Sequence, residues 1–541
     1  MRKLLLGDEA IAQAAIDAGL SGVYAYPGTP STEITEFIQL REEKRGDAEN
    51  KICCRWATNE KTAMEGALGM SYMGKRALVC MKHVGMNVAA DPFVNSAMTG
   101  VNGGLVVVAA DDPSMHSSQN EQDSRFYAKF AMIPSLEPSN QQEAYDMMKY
   151  AFDLSEEQGL PVLMRVTTRM AHSRAVVEID DTPREENTLS FPKKAKDWVL
   201  LPANAIRRNN EVTKQLVELE ELSCNVEYNK LILPAGEEKH YKQGVITCGI
   251  AYNYLMDAFE SKVDFPVLKI TQYPIPKKLI NELAAMCDEL VVLEEGQPIV
   301  EEQVRGTLPT PVVIKGRLTG EVNRTGELTP DGVKATFGLP CKAVYAKSQV
   351  VLPRPPALCQ GCSHRDVYTA LNDVIKEYPN AKVFSDIGCY TLGALPPFRT
   401  ISSCIDMGAS ITMAKGAADS GLFPAIAVIG DSTFTHSGMT GLLDAVNSKA
   451  NITVVISDNL TTAMTGGQDS AGTGRIESIC LGLGVEPEHV RAMLPIPKNH
   501  DELCSIIREE IEYNGVSVII PRRECIQTMN RKLKQKKANK A

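Results

Sequence analysis

No apolar run in the 541-residue chain reaches the roughly 18 residues that a bilayer-spanning helix needs, which argues against a membrane span. The short leucine run after Arg2 and Lys3 passes directly into the acidic, helix-like GDEAIAQAA. No signal-peptide cleavage region follows, so a folded domain in the cytoplasm is expected. Basic residues are dense only at 531–540, and the net charge is −10. Nucleic-acid binding would need a basic face in the body of the chain, and none is visible; the basic end is expected to be frayed and solvated. The sequence has a C-x-x-C at 359–362 but no second one, so the second pair of ligands of a zinc finger is not at hand. No repeat of 20–50 residues is present.

The composition, 44% hydrophobic and 23% charged, is that of an ordinary soluble globular protein, and the length suggests three or four domains. Apolar runs GVYAYPG (22–28), KRALVCMKH (75–83), GGLVVVAADDP (103–113) and LPVLMRVTT (160–168) are separated by longer amphipathic segments. That rhythm predicts a parallel sheet covered on both faces over 1–195. Residues 196–240 are charged and weakly periodic, as in a linker. A smaller α/β domain is expected over 241–345 from QGVITCGIAYNYLMDAF (243–259) and ELVVLEEG (289–296). A third α/β domain over 346–528 contains AKVFSDIGCY (381–390), FPAIAVIGDS (423–432), NITVVISDN (451–459) and VSVIIPRREC (516–525), and the basic tail is 529–541. The EEGQPIVEEQ run (294–303) is expected to be a helix terminus with inter-domain contacts.

Fourteen cysteines in such a chain do not form a disulfide framework, and most, such as Cys80 and Cys248, are expected to be small buried hydrophobes. Ligand spacing or a glycine-rich loop singles out Cys359, Cys362 and Cys389, with Cys525 as a possible fourth. Beside them, Gly430-Asp431-Ser432 closes one apolar run, and Asn459 closes another 28 residues beyond Asp431. Both polar groups then sit at the C-terminal ends of parallel strands, where doubly wound sheets bind ligands. A carboxylate and an amide oxygen suit Mg²⁺, with diphosphate oxygens completing its shell. Gly430 is expected to let the backbone approach the phosphates.

This is the thiamine diphosphate fingerprint, with Ser432 in place of a third glycine. In thiamine enzymes the carbonyl two residues after the Asn completes the metal shell, here Thr461, and Gly466 lies in the same TTAMTGGQ loop (461–468). Such an enzyme also needs a carboxylate on another domain to bind N1′ of the aminopyrimidine. Glu60, at the start of an Ala/Gly-rich helix in RWATNEKTAMEGALG (55–69), is the candidate.

On AYPGTPSTEI (25–34), MKHVGMNVAADP (81–92), AADDPSMHSSQNEQDSR (109–125), RPPALCQGCSHR (354–365), SDIGCYTLG (385–393), IGDSTFTHSG (429–438) and DNLTTAMTGGQ (458–468), the chain resembles the 2-oxoacid:ferredoxin oxidoreductases. Within them it is most similar to the large (alpha) subunits of the indolepyruvate type. The resemblance implies multi-domain α/β architecture, with pyrimidine-type and diphosphate-type thiamine domains and a smaller one between. It implies Thr29 beside the thiazolium and the substrate keto group, Glu60 at the pyrimidine, and Asp431, Asn459 and the Thr461 carbonyl on Mg²⁺. It also implies a [4Fe–4S] cluster on Cys359, Cys362, Cys389 and Cys525. The reaction implied is oxidative decarboxylation of aryl 2-oxoacids to the acyl-coenzyme A with reduction of ferredoxin, in a heteromer with a small beta subunit or a dimer.

Three departures accompany the likeness. The ferredoxin-like cysteine runs usual at the end of such subunits are missing, so electrons are expected to leave through the cluster, a partner subunit or a docked ferredoxin. Met464 replaces an Asn of the pyruvate enzymes, which fits a larger, aromatic substrate. The Arg that pairs with the substrate carboxylate has no counterpart, leaving His83, Lys82 and Arg125 as candidates. His364 could be a zinc ligand, and the loop from His116 to Arg125 either lines the active-site mouth or is a solvated surface loop. Rival functions are a non-oxidative arylpyruvate decarboxylase and a redox-inactive subunit with structural zinc.

Overall fold

The structure, a computed structural model, describes all residues except 47–50, 181, 192–197, 236–238, 309–311, 342–345, 347, 353–355 and 539–541. It consists of two units, Met1–Tyr345 and Ala346–Ala541. The expected limits at 195/196 and at Tyr345 fall outside the described residues.

In chain order the strands of the first unit are β1 (Arg2–Leu6), β2 (Gly22–Ala25), β3 (Cys53–Trp56), β4 (Ala77–Lys82), β5 (Leu105–Asp111), β6 (Ser135–Leu136), β7 (Val162–Thr167), β8 (Arg174–Glu178), β9 (Lys230–Ile232), β10 (Tyr241–Cys248), β11 (Val267–Ile270), β12 (Gln272–Tyr273), β13 (Cys287–Leu293) and β14 (Val313–Lys315). Seven of them form a sheet in the order β12-β6-β7-β5-β4-β2-β3, parallel except for β12, which pairs antiparallel with β6. Strands β4, β5 and β7 are buried along their whole length, as their unbroken apolar sequences predict for a sheet covered on both faces. The cover includes α1 (Gly7–Asp17), α2 (Thr32–Lys44), α3 (Glu60–Tyr72) and α4 (His83–Thr99). A second sheet has the order β14-β13-β10-β11-β9.

The segment expected as a linker contains a 24-residue helix, Pro202–Asn225. Its buried stripe is thin, only Val212, Leu219 and Ser223, which is why the sequence shows so little periodicity. Val212 and Leu219 pack with Leu160, and Arg208 donates to the Met98 carbonyl at 2.7 Å. The helix is thereby laid along the first sheet.

Where β5 and β7 end, charge is buried. Arg165 is bound by Asp111 at 2.6 Å and by Glu137; Arg125 is bound by Asp123 at 2.5 Å and Glu294 at 3.0 Å. Both guanidiniums also donate to the Glu295 carbonyl. The two arginines outweigh burial at Asp123 and hold it below the ordinary carboxylate range. Burial dominates at Glu294 and Glu295 and pushes each to about 7. The 294–303 run thus contributes buried ion pairs that join β5 and β7 to the end of β13 within the first unit.

The second unit has β15 (Lys382–Ser385), β16 (Ser403–Cys404), β17 (Ala425–Gly430), β18 (Ile452–Ser457), β19 (Val490–Met493) and β20 (Val516–Pro521). They form a six-stranded sheet in the order β16-β15-β17-β18-β20-β19, parallel throughout. The basic end, expected to be frayed, is instead helical over Ile526–Ala538. Arg531 fastens it by donating to the Gly466 carbonyl at 2.7 Å.

Removing one member of a buried ion network leaves uncompensated charge, typically at a cost of about 3–5 kcal/mol. Arg165→Met is expected to destabilise the first unit by about that amount. Both tryptophans, Trp56 and Trp198, lie in that unit, so denaturant unfolding followed by tryptophan fluorescence measures the loss there.

Candidate functional site

In the first unit the candidate residues gather at the C-terminal ends of β2, β3 and β4. Glu60 is the first residue of α3 and is buried, 5% exposed. Its helix is capped by Asn59, whose side chain accepts the Thr62 amide at 2.9 Å. Gly85, in the first turn of α4, is pressed against it: a Cβ there would stand 2.7 Å from Glu60 Cγ and 2.8 Å from Oε1. Thr29 is half-buried in a turn that joins β2 to α2. Beside it, a Cβ on Gly28 would lie 3.1 Å from Lys82 Cβ, so Lys82 and Thr29 belong to one cluster.

Lys82 donates to the Ser117 carbonyl at 2.7 Å, and burial lowers its pKa against the pull of Asp112. His83 is fully buried and its Nε2 stands 3.2 Å from the Asn120 carbonyl. A carbonyl can only accept, so Nε2 carries the hydrogen, and Nδ1 is left without a partner. Burial lowers the His83 pKa, which keeps the ring neutral. The loop from His116 to Arg125 thus folds back onto Lys82 and His83 and is more than a solvated surface segment. Arg125, a candidate for the substrate carboxylate, is not available to it. It is 2% exposed, and its donors are taken by Asp123, Glu294 and the carbonyls of Glu295 and Gln297.

In the second unit the strand order fixes the arrangement. β17 and β18 are neighbours, with Gly430 opposite Ser457, so Asp431 and Asn459 emerge side by side. Cys389 follows β15 on one flank and Cys525 follows β20 on the other. Asp431 is 2% exposed and its Oδ2 has no hydrogen-bond partner. Burial, and then the nearby Asp458, pushes its pKa to about 7. Asp458 itself is paired with Arg522 at 2.5 Å, which Glu477 holds from behind at 2.6 Å. Asn459 Oδ1 accepts the Thr461 amide at 3.2 Å, and Ser432 Oγ lies 2.8 Å from Thr462 Oγ1. A bare buried carboxylate oxygen beside an amide oxygen fits a hard cation.

Gly430 also has a packing reason of its own. A Cβ there would stand 2.6 Å from the ring of Tyr390, so the glycine makes room for a tyrosine. That ring locks the Cys389 loop: Tyr390 donates to Asp386, and its own carbonyl accepts from Tyr368 at 2.6 Å.

The four candidate cysteines come together. Cys362 caps the helix Ser363–Ile375, and its amide donates to the Cys359 carbonyl at 3.2 Å. Burial raises the Cys362 thiol, and Cys359 and Cys525 raise it further. Cys389 is pushed up to about 12, again by burial first and then by the other three thiols. Such a group of sulfurs needs positive charge to exist as thiolates. The Cys525 amide donates to the Asn459 carbonyl at 3.0 Å, which joins the cysteine group to the carboxylate–amide pair.

His364, which could have been a zinc ligand, instead stands with Nε2 3.5 Å from Asn459 Nδ2. It is buried, its Nδ1 is unpartnered, and burial lowers its pKa to about 4. Its placement was missed in the sequence because 95 residues separate it from Asn459; the only signal was its position two residues after Cys362.

The family model described as pyruvate flavodoxin/ferredoxin oxidoreductase, thiamine diphosphate-binding, matches residues 13–227. That described as thiamine pyrophosphate enzyme, C-terminal TPP-binding domain, matches 386–520. Fold, site and these matches define a thiamine diphosphate-dependent 2-oxoacid oxidoreductase. The chain is 39% identical to indolepyruvate oxidoreductase subunit IorA of Archaeoglobus fulgidus, over 96% of this chain and 86% of that one. It is 37% identical to the IorA subunit of Thermococcus kodakarensis, over 97% and 86%. It belongs to the family of indolepyruvate oxidoreductase IorA subunits. Its fold is also similar to that of the 2-oxoglutarate:ferredoxin oxidoreductase from Magnetococcus marinus, with a TM-score of 0.50 and 15% identity, over 61% of this chain and 64% of that one.

The raised pKa of Asp431 has a thermodynamic consequence. The folded protein binds this proton more tightly than the unfolded chain, so the contribution to stability is full below the ordinary carboxylate pKa. It is lost as pH rises through about 7. Unfolding of the cofactor-free protein between pH 5 and 8 is expected to show this decline, up to about 1.4 kcal/mol per pH unit. Asp431→Asn is expected to flatten that part of the slope.

Proposed function

We propose that the protein catalyses oxidative decarboxylation of aryl 2-oxoacids, of which indolepyruvate is the type, to the acyl-coenzyme A, passing the electrons to ferredoxin. When bound, thiamine diphosphate supplies the electron sink that lets a 2-oxoacid lose carbon dioxide, and an iron–sulfur cluster supplies a one-electron exit. Asp431, Asn459 and the Thr461 carbonyl would hold Mg²⁺ and through it the diphosphate. Glu60 would hold a proton at N1′ of the pyrimidine, and the Gly85 backbone sets where its carboxyl points. Lys82 and neutral His83 remain as groups to orient the substrate carboxylate and keto oxygen, near Thr29. Met464, 53% exposed in its unit, offers a flexible apolar surface suited to an aromatic side chain.

The observation that carries this reading is the bond from the Cys525 amide to the Asn459 carbonyl. It would couple the thiols to the cation site through the neighbouring turns after β18 and β20, as an electron relay beside the thiamine requires. A small partner subunit and an external ferredoxin complete the assembly in this reading. Cys359 is exposed, and the adjoining helix Ile526–Ala538 is lysine-rich, a surface suited to an acidic electron carrier.

Protein purified anaerobically is expected to hold about four irons and four sulfides per chain, with broad absorbance near roughly 400 nm. Cys359→Ser is expected to lose most of that iron and the ferredoxin-reducing activity; colourless protein with stoichiometric zinc would refute the proposal. For the carboxylate, Gly85→Ala forces Glu60 aside and is expected to lower kcat about 100-fold or more, approaching the effect of Glu60→Gln. Unchanged kcat in both would show that Glu60 has another role.

A further inference from the structure

Away from the thiamine residues, a second group of donors converges in the first unit. Asp8 is the second residue of α1, Glu33 lies in the first turn of α2, and His172 ends the helix Thr168–His172. One ligand atom from each of the three lies within 4.8 Å of the other two. Sequence separation hides this group, and a close backbone approach creates it. A Cβ on Gly7 would stand 2.1 Å from the Met170 carbonyl oxygen, so only glycine lets α1 begin against the helix that ends in His172.

The imidazole and Glu33 alone would be an ordinary partly exposed pair, with Nε2 3.5 Å from Oε2. Asp8 is what that pair does not account for. It is 0% exposed, and neither of its carboxylate oxygens has a hydrogen-bond partner. The neighbouring Glu9 has partners of its own, the Leu6 amide at 2.8 Å and Arg174 at 3.8 Å. Burial raises the pKa of Asp8, and the charges that add to the shift, Glu33 and Glu9, are both negative. A buried carboxylate must pair, coordinate a metal or keep its proton.

We propose that Asp8, Glu33 and His172 bind a divalent metal ion, with zinc the ion that the donors suit. Two carboxylate oxygens and one imidazole nitrogen form a mixed set. All-oxygen ligands would suit magnesium or calcium, whereas this set matches zinc with three protein ligands. A water would complete the four-coordinate shell that zinc takes with three protein ligands. The cation supplies the positive charge that Asp8 lacks and ties three helices together.

One of those helices is α2, whose start is bound to the turn carrying Thr29. Ser31 Oγ donates to the Gly28 carbonyl at 2.8 Å, and the Gly28 amide donates to Thr32 Oγ1 at 3.0 Å. The site is therefore a structural tie next to the thiamine-facing turn, and its existence does not depend on the activity proposed above.

The test uses the full chain with its cofactors loaded, so that the four cysteines are occupied. Zinc alone is titrated by calorimetry after removal of loosely held metal, and bound zinc is measured by elemental analysis. The wild type is expected to bind one equivalent, with a rise in thermal midpoint on zinc addition. Glu33→Gln and His172→Gln change partly exposed side chains, so folding is not at stake. Each is expected to weaken zinc binding about 100-fold or more and to abolish the thermal response. Cobalt in place of zinc is expected to give ligand-field bands without thiolate-to-metal charge transfer, and to lose them in His172→Gln. Unchanged zinc binding in both variants would overturn the proposal. So would an Asp8→Asn variant that is more stable than wild type and binds zinc equally well, because Asp8 would then simply keep its proton.

Discussion

Arg165 has no access to water, with Asp111 and Glu137 on its donors and Asp123 3.6 Å away. With Arg125 it faces five buried acids, Asp111, Asp123, Glu137, Glu294 and Glu295. Arg317, the third buried arginine nearby, gives its hydrogen bonds to carbonyls of Glu294, Asn323 and Gly326. Acid is therefore in excess, and burial makes Glu294 and Glu295 hold protons up to about pH 7. The network determines where β5 stops and how the loop after it returns. That loop supplies the Ser117 and Asn120 carbonyls that hold Lys82 and His83. The positions of the candidate substrate-facing groups thus depend on two guanidiniums that never meet the substrate.

The second unit treats its strand-end carboxylates differently from one another. Asp458 is neutralised by Arg522, and both oxygens of Asp386 accept hydrogen bonds, from Tyr390 and Ser410. Asp431, between them, has a bare oxygen. Burying charge without a partner is costly, so Asp431 either keeps its proton, as its pKa of about 7 allows, or takes a cation. Asp8 repeats this pattern in the first unit.

Much of this architecture was legible in the sequence. The apolar runs at 77–82, 105–111, 162–167, 425–430 and 452–457 are strands, and parallel pairing follows from burial on both faces. The spacing from Asp431 to Asn459 is one strand–helix–strand repeat, so a linear motif became a spatial pair. What the sequence concealed depends on contacts between distant segments. Arg125 could not be seen to be consumed by Glu294, 169 positions away. Gly430 makes room for Tyr390, which no spacing rule indicates. The helix Pro202–Asn225 buries too few side chains to leave a period, and the basic end is held by contacts to distant segments, Arg531 to Gly466 and Gln527 to Cys359.

Asn459 joins the carboxylate–amide pair to the thiols. Its side-chain oxygen accepts the Thr461 amide, its carbonyl accepts the Cys525 amide, and its Nδ2 stands beside His364, two residues from Cys362. β18 and β20 are adjacent and parallel, so the turns that leave them must run side by side. Placing one donor set after β18 and a cysteine after β20 brings the two together through backbone geometry alone, with no long side chain needed to bridge them. The order β15-β17-β18-β20 therefore places a cysteine on each flank of the strand ends that carry Asp431 and Asn459, through backbone order alone.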